Sequence, residues 1–386
     1  MSCDRRGGSL AVDAATQLVG TLILLVVGVS GMGSAAASLG AQQATDSNSI
    51  VPTAPPNGCS TQVVALPSPQ QSSKAFGIMR SVDGGKTWMR VVGDSGSVRS
   101  LTIDSRGRVF GGTVGDLTGA GIELGLLQSL DDGETWIRTT GCANGTDLRD
   151  LRSIAVGANG TIYGGTGSGL VRSTDGGKTW DTANDGLAEG RERNIQSIAM
   201  DAEGRLFAGT YDGVIRFSDA SSKWVRVGLA GIPVTAILVT PGGKIYAGTG
   251  GKGLYRSSNA GLSWQPIDDG LIGTWISEIA FAPRGNLYAA VQRSGVFRSI
   301  DGGVTWKRTL SLGKETVAYA VHVSAGGEIF ASAGACCPAP SVGLFRSTDG
   351  GNNWINLLNV TDDTAVGAIS VSPTGTIMVG LAWVGE

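Results

Sequence analysis

The sequence predicts an all-β fold, a seven-bladed β-propeller built from four-stranded antiparallel blades. Three observations carry that expectation. A nine-residue segment recurs seven times, each copy follows the same pattern of short apolar runs, and the chain ends supply complementary parts of one unit. The copies are RSVDGGKTW ending at Trp88, QSLDDGETW at Trp136, RSTDGGKTW at Trp180 and RFSDASSKW at Trp224, then RSSNAGLSW at Trp264, RSIDGGVTW at Trp306 and RSTDGGNNW at Trp354. Their spacing of 40 to 48 residues matches one four-stranded unit of a radial array.

The segments between copies supply the other strands. SIAVGANGTIYGGTGSGLVRS (Ser153–Ser173), SIAMDAEGRLFAGTYDGVIRF (Ser197–Phe217) and AILVTPGGKIYAGTGGKGLYRS (Ala236–Ser257) superimpose. Each reads as an alternating strand, a glycine turn, a second apolar strand, a glycine and a third strand. The nine-residue box is then the turn into a fourth strand that begins at its tryptophan. Little precedes the first box, whereas AISVSPTGTIMVG (Ala368–Gly380) has no box behind it. The C-terminal strand pair is therefore expected to join the first box hairpin and close the ring, leaving only short edges.

The box residues explain themselves as turn chemistry. A carboxylate at Asp83, Asp131, Asp175, Asp219, Asp301 or Asp349 accepts local backbone N–H bonds. The glycines permit positive φ, and Trp88, Trp136, Trp180, Trp224, Trp264, Trp306 and Trp354 are placed to fold over the hairpin. Equivalent acids spread around a ring cannot share one substrate, so they are read as scaffold. The recurrent Arg80, Arg172, Arg216, Arg256, Arg298 and Arg346 are periodic and are read as structural for the same reason.

Composition bounds the remainder. A net charge of -2 gives no basic or acidic excess for nucleic acid or a lipid surface. The 62 glycines are about twice the usual share without a collagen period. A single histidine, His322, excludes a multi-histidine metal site. Neither a metal nor a cofactor is expected, because the glycine-rich turns lie between strands and not before helices.

Residues 1–37 read as a signal peptide. Arg5 and Arg6 precede the apolar run Leu18–Gly31, and Ala35 and Ala37 fit small-x-small cleavage. The run is shorter than the roughly twenty residues a membrane span needs; an uncleaved anchor is the alternative. A secreted or periplasmic protein is expected, membrane-attached only through such an anchor, and monomeric. Residues 38–74 read as a Ser/Pro/Gln-rich linker holding one short edge-strand run, TQVVAL, and 75–386 as the propeller. In an oxidising compartment Cys59, Cys142, Cys336 and Cys337 are disulfide candidates with three pairings open.

The box resembles that of the Asp-box (BNR) repeat propellers, which include sialidases, xyloglucan-cleaving hydrolases, sortilin-type receptors and photosystem II assembly-factor propellers. The resemblance covers about residues 75–386, and the flanks TWDTANDGL (Thr179–Leu187) and SWQPIDDGL (Ser263–Leu271) resemble the xyloglucanase and assembly-factor branch. It implies the fold. It does not carry over a sialidase site, because Gly231-Ile232-Pro233 lacks the arginine of the R-I-P motif. Tyr163, Tyr246 and Tyr288 recur at equivalent positions, as packing residues do. Xyloglucanases of this class face two propellers across a cleft, and this chain has one.

Function is expected on the face opposite the boxes, whose connections differ from one another. Two of the nine tryptophans, Trp275 and Trp383, lie outside the boxes and fall there. With Tyr211 and an arginine group drawn from two inter-blade loops (Arg149, Arg152, Arg191, Arg193), they are the candidate binding residues. The leading reading is a binding or assembly module for a protein or polysaccharide partner. The alternative is a glycoside hydrolase, xyloglucanase-like or sialidase-like. It needs two carboxylates about 5–10 Å apart, drawn from Asp147, Asp150, Glu189, Asp212, Asp268 and Asp269.

Overall fold

A computed structural model describes residues 62–66, 76–93, 96–115, 125–140, 142–143, 146–218, 223–312, 316–335, 343–360 and 364–383. They fall within one compact unit, Ala54–Gly385. Residues 1–37, read as a signal peptide, and Cys59, Cys336, Cys337 and Asp219 lie outside the described residues, as do the side chains of Cys142, Asp147 and Trp383. Among the described residues no helix is long and apolar enough to cross a membrane.

Seven sheets form a closed ring, as the repeat count requires. Their inner strands are Ser97–Ile103, Ser153–Val156, Ile195–Met200, Val234–Val239, Ile276–Phe281, Thr316–Val323 and Thr364–Val371, which number blades 1 to 7. Each of blades 1 to 6 continues outward through three further strands in chain order. In blade 7 the second strand, Ile377–Trp383, pairs with Gly77–Ser81, and Met89–Gly93 is outermost. The C-terminal strand pair thus joins the first box hairpin, with Ile78 opposite Gly380. Blade 1 carries a fifth, outer strand, Gln62–Ala65, within the segment read as linker; it pairs antiparallel with Ile137–Thr140.

Burial follows position in the blade. The second strands Leu206–Thr210, Ile245–Thr249 and Leu287–Val291 are buried along their whole length, because neighbouring blades cover both faces. The outermost Lys307–Ser311 and Ile355–Asn359 are mostly exposed. Close approach of blades also explains glycines that lie outside turns. A Cβ at Gly248 would sit 2.6 Å from the Ile276 Cγ2 of the next blade.

The box works as expected and does more. In blade 2 the Ser173 hydroxyl donates to Asp175 Oδ1 at 2.8 Å and accepts the Gly177 amide, while the Thr179 amide and hydroxyl donate to the two Asp175 oxygens. Such bonds, that from the Thr87 hydroxyl foremost, hold Asp83 well below the usual carboxylate range. Bonds from Asn353 hold Asp349 at about 2. Asn259 builds the same turn without charge: its Oδ1 accepts from Ser257 and the Ser263 amide, and its Nδ2 donates to Ser263 Oγ at 2.9 Å.

The tryptophan reaches beyond its own hairpin. Trp306 Nε1 donates to Gly303 O in its own turn and to Ile267 O of the preceding blade, at 3.2 and 2.8 Å. Trp264 does the same with Gly261 and Val227. The periodic arginines bond in the other direction: Arg256 and Arg298 donate to Gly302 O and Gly350 O of the following blade's box, at 3.0 and 2.6 Å. Tyr246 and Tyr288 hydroxyls reach the same two carbonyls. The boxes ending at Trp264, Trp306 and Trp354 are therefore both turns and blade-to-blade clamps.

Candidate binding site at the channel mouth

The site is built from one recurrent irregularity. The ladder between inner and second strands shifts register around Arg99, Gln196, Thr235, Ser277, Tyr319 and Gly367, a bulge repeated in six blades. In blade 2, Arg152 stands immediately before the first paired residue, Ser153. A bulge leaves one residue unpaired and re-aims its side chain. All seven residues line the end of the channel opposite the boxes, in a cavity of about 460 Å³. Tyr211, Trp275 and Gln292 stand around them.

Two of these side chains are exposed aromatics, Trp275 at 46% and Tyr211 at 38%. Trp275 is anchored by its backbone, which bridges to Gly250 and accepts the Gln292 amide at 3.0 Å. The two arginines differ. Arg152 is engaged: Nε and Nη2 pair with the two oxygens of Asp150 at 2.9 Å, and Nη1 donates to Asn194 at 2.7 Å. Arg99 is exposed and has no hydrogen-bond or ion-pair partner among the described residues. The mouth therefore offers an unpaired guanidinium and exposed aromatic surface along one cavity.

The structure brings together three of the sequence-selected binding residues, Arg152, Tyr211 and Trp275. The other arginines do not line the mouth. Arg191 donates to the Tyr211 carbonyl at 3.0 and 3.2 Å, Arg193 lies 3.7 Å from Glu189, and Arg149 is exposed and has a partner of its own. The candidate carboxylates are dispersed. Asp150 binds Arg152 and the Gly167 amide, and Asp212 binds Arg226 and the Gly231 amide. Glu189, Asp268 and Asp269 are exposed, and no two of the described candidates share a partner.

One carboxylate that the sequence analysis did not select lies deeper. A second cavity of about 240 Å³, sharing the seven mouth residues, is lined by Glu278. The register places Glu278 opposite Ala290, as Ser100, Ser153 and Ser197 stand opposite Gly112, Gly165 and Gly209. Those serine hydroxyls each accept a backbone amide of the next blade, from Ile154, Ile198 and Ile237. Glu278 Oε2 makes the corresponding bond, accepting the Val321 amide at 2.9 Å. Burial pushes the carboxyl up to about 7. His322, on the neighbouring inner strand, is held at about 4 by burial. No group of three or more His, Cys, Asp and Glu side chains among the described residues is arranged to hold a metal.

The signal for these residues was present but required columns. Aligned on the bulge, the inner strands read RSL, RSI, QSI, TAI, SEI, YAV and GAI. The third column is uniformly aliphatic, the second is small except for Glu278, and the first varies in every property.

Comparison with known proteins agrees with the fold. Residues 146–299, less than half of the chain, match the family model described as photosynthesis system II assembly factor YCF48. A search of curated proteins finds no significant match. Among solved structures, the GH74 xyloglucanase from Xanthomonas campestris aligns with TM-score 0.59 and 20% identity over 75% of this chain. This chain spans 51% of that enzyme's length. YCF48 bound to D1 peptide aligns with TM-score 0.54 and 16% identity, over 81% of this chain and 99% of the other. PorZ, a bacterial surface component of the type-IX secretion system of Porphyromonas gingivalis, aligns with TM-score 0.54 and 15% identity, over 76% and 48%.

Proposed function

We propose that this seven-bladed propeller of the BNR-repeat kind is an exported peptide-binding module whose site is the channel mouth opposite the boxes. The observation that carries the reading is that Arg99, without a partner among the described residues, lines the same cavity as the exposed Trp275 and Tyr211. A guanidinium in that position recognises a carboxylate through paired N–H donors. Exposed Trp and Tyr supply rigid apolar area of the kind that anchors a bound segment. The ligand class is therefore a protein segment presenting an acidic side chain or a C-terminal carboxylate together with an apolar or aromatic residue. Export rests on the reading of residues 1–37 as a signal peptide.

A similar architecture bound to a peptide, in YCF48, supports the peptide over the polysaccharide. So does the carboxylate inventory. A glycoside hydrolase needs two acids facing one bond, whereas the described residues lining the mouth and the cavity beneath it include one, Glu278. The test is selection of peptides from a random display library on the purified protein, followed by calorimetry. Selected peptides are expected to carry a carboxylate and to lose at least about tenfold in affinity, roughly 1.4 kcal/mol, on Arg99→Ala or Trp275→Ala. Peptides that bind both variants unchanged overturn the site. Release of oligosaccharides from xyloglucan or other β-glucans overturns the function.

A further inference from the structure

The cavity beneath the mouth has chemistry the scaffold does not require. At the ring position of Glu278 the other blades carry Ser100, Ser153, Ser197, Ala236, Ala320 and Ala368. A small hydroxyl completes the inter-blade hydrogen bond in three of them, and a methyl suffices in the rest. A carboxylate is a costly substitute, because a buried charge must be compensated. Glu278 uses Oε2 for the Val321 amide, and Oε1 has no partner among the described residues. Next to it in the chain, Ser277 Oγ is buried with no hydrogen-bond partner, and Ser277 lines the same cavity. One unpartnered carboxylate oxygen, Glu278 Oε1, is thus left at this cavity.

The other charged or titratable side chains lining that space are Arg99, Arg152 and Tyr319. His322, beside the Val321 amide that Glu278 binds, is held neutral at ordinary pH. Arg152 is engaged by Asp150 and Asn194, and none of these groups bonds to Glu278. The missing partner has to bring donors and positive charge and fit a narrow cavity. A primary ammonium has three N–H donors on a compact head.

We infer that the channel cavity binds a primary alkylammonium group, held by Glu278 Oε1. If the peptide reading holds, that group is a lysine side chain of the same segment that covers Trp275 and Tyr211. The site itself does not depend on that reading, since a free amine of the same chemistry fits it.

The experiment titrates the purified full chain, carrying carboxyl-13C glutamate, with n-butylammonium chloride, n-butanol and Nα-acetyl-lysine N-methylamide. The Glu278 carboxyl resonance, identified by its loss in Glu278→Gln, is expected to shift saturably with both amines and not with n-butanol. Binding should lower its apparent pKa by about one, a tenfold linkage. Glu278→Ser, which copies the side chain of three other blades and should fold, is expected to weaken amine binding at least about tenfold. Tighter binding of the lysine derivative assigns the ammonium to a protein partner, and tighter binding of n-butylammonium assigns it to a free amine. No saturable shift with either amine, or equal binding by Glu278→Ser, overturns the site. Because no mouth peptide is used, failure here leaves the peptide proposal standing, and failure of the peptide proposal leaves this site standing.

Discussion

On the box face equivalent positions repeat: Ser173, Ser257 and Ser299 each donate to the Asp or Asn two residues on. On the opposite face equivalent positions read Arg99, Arg152, Gln196, Thr235, Ser277, Tyr319 and Gly367. The same seven blades supply both rings. Equivalent box residues close the same turn, and several boxes also bond to a neighbouring blade, so one solution recurs around the ring. Residues at the mouth share no such common role, and their chemistry differs from blade to blade. The acids show the same contrast. Box carboxylates sit in a shell of donors that lowers their pKa, whereas Glu278 has one amide and a buried setting that raises it.

The strongest way to break the comparison is to remove a clamp. Trp306 is 5% exposed and ties its turn to Ile267 of the preceding blade. Trp306→Ala is expected to cost about 3–5 kcal/mol in urea unfolding. If equilibrium unfolding shows a loss below about 1 kcal/mol, the clamp role is wrong.

The opposite shifts of the acids give opposite pH dependences. Asp349 titrates near 2 in the fold against about 3.9 unfolded. Its stabilisation is present above about pH 4 and is lost as pH falls through 2. Glu278, raised to about 7, does the reverse. Its contribution is complete below its unfolded value of about 4.3 and is lost as pH rises through 7. His322, lowered to about 4, adds stability above about 6.5 that is lost as pH falls through 4. Stability curves of the wild type and Glu278→Gln, measured by urea midpoint, should therefore converge at low pH and separate between pH 4.5 and 8. Parallel curves would show that Glu278 is solvated and ordinary.

A smaller effect separates charge from geometry in the box. Asp175→Ala removes acceptors for Ser173 and Thr179 and is expected to cost about 1–3 kcal/mol. Asp175→Asn should recover most of that, as Asn259 holds its own turn uncharged. Thermal unfolding of the two variants checks the ranking. The smallest stability effect belongs to the mouth. Trp275→Ala, at a 46% exposed position, should change stability by less than about 0.5 kcal/mol while weakening peptide binding. A large fall in melting temperature would make Trp275 a plug and not a contact.

What the sequence determined by itself is the part written in repeats. The spacing of the boxes set the number of blades, and the unmatched strand pair Ala368–Gly380 announced how the ring closes. Local hydrogen bonding within the box makes it legible, because Ser173, Asp175 and Thr179 find each other within one turn. Three mouth residues, Arg152, Tyr211 and Trp275, were also reachable, since their loops and residue types stand out. Only the tertiary structure gathered Arg99, Gln196, Ser277 and Tyr319 into one ring, or set Glu278 in the place of a serine. These residues lie one or two blades apart in the chain and come together only when the ring closes. Which face each presents depends on a single-residue bulge, and a shift of one residue moves a strand side chain to the opposite side. The clamps of Trp306 and Arg298 are tertiary for the same reason, because their partners, Ile267 and Gly350, belong to neighbouring blades.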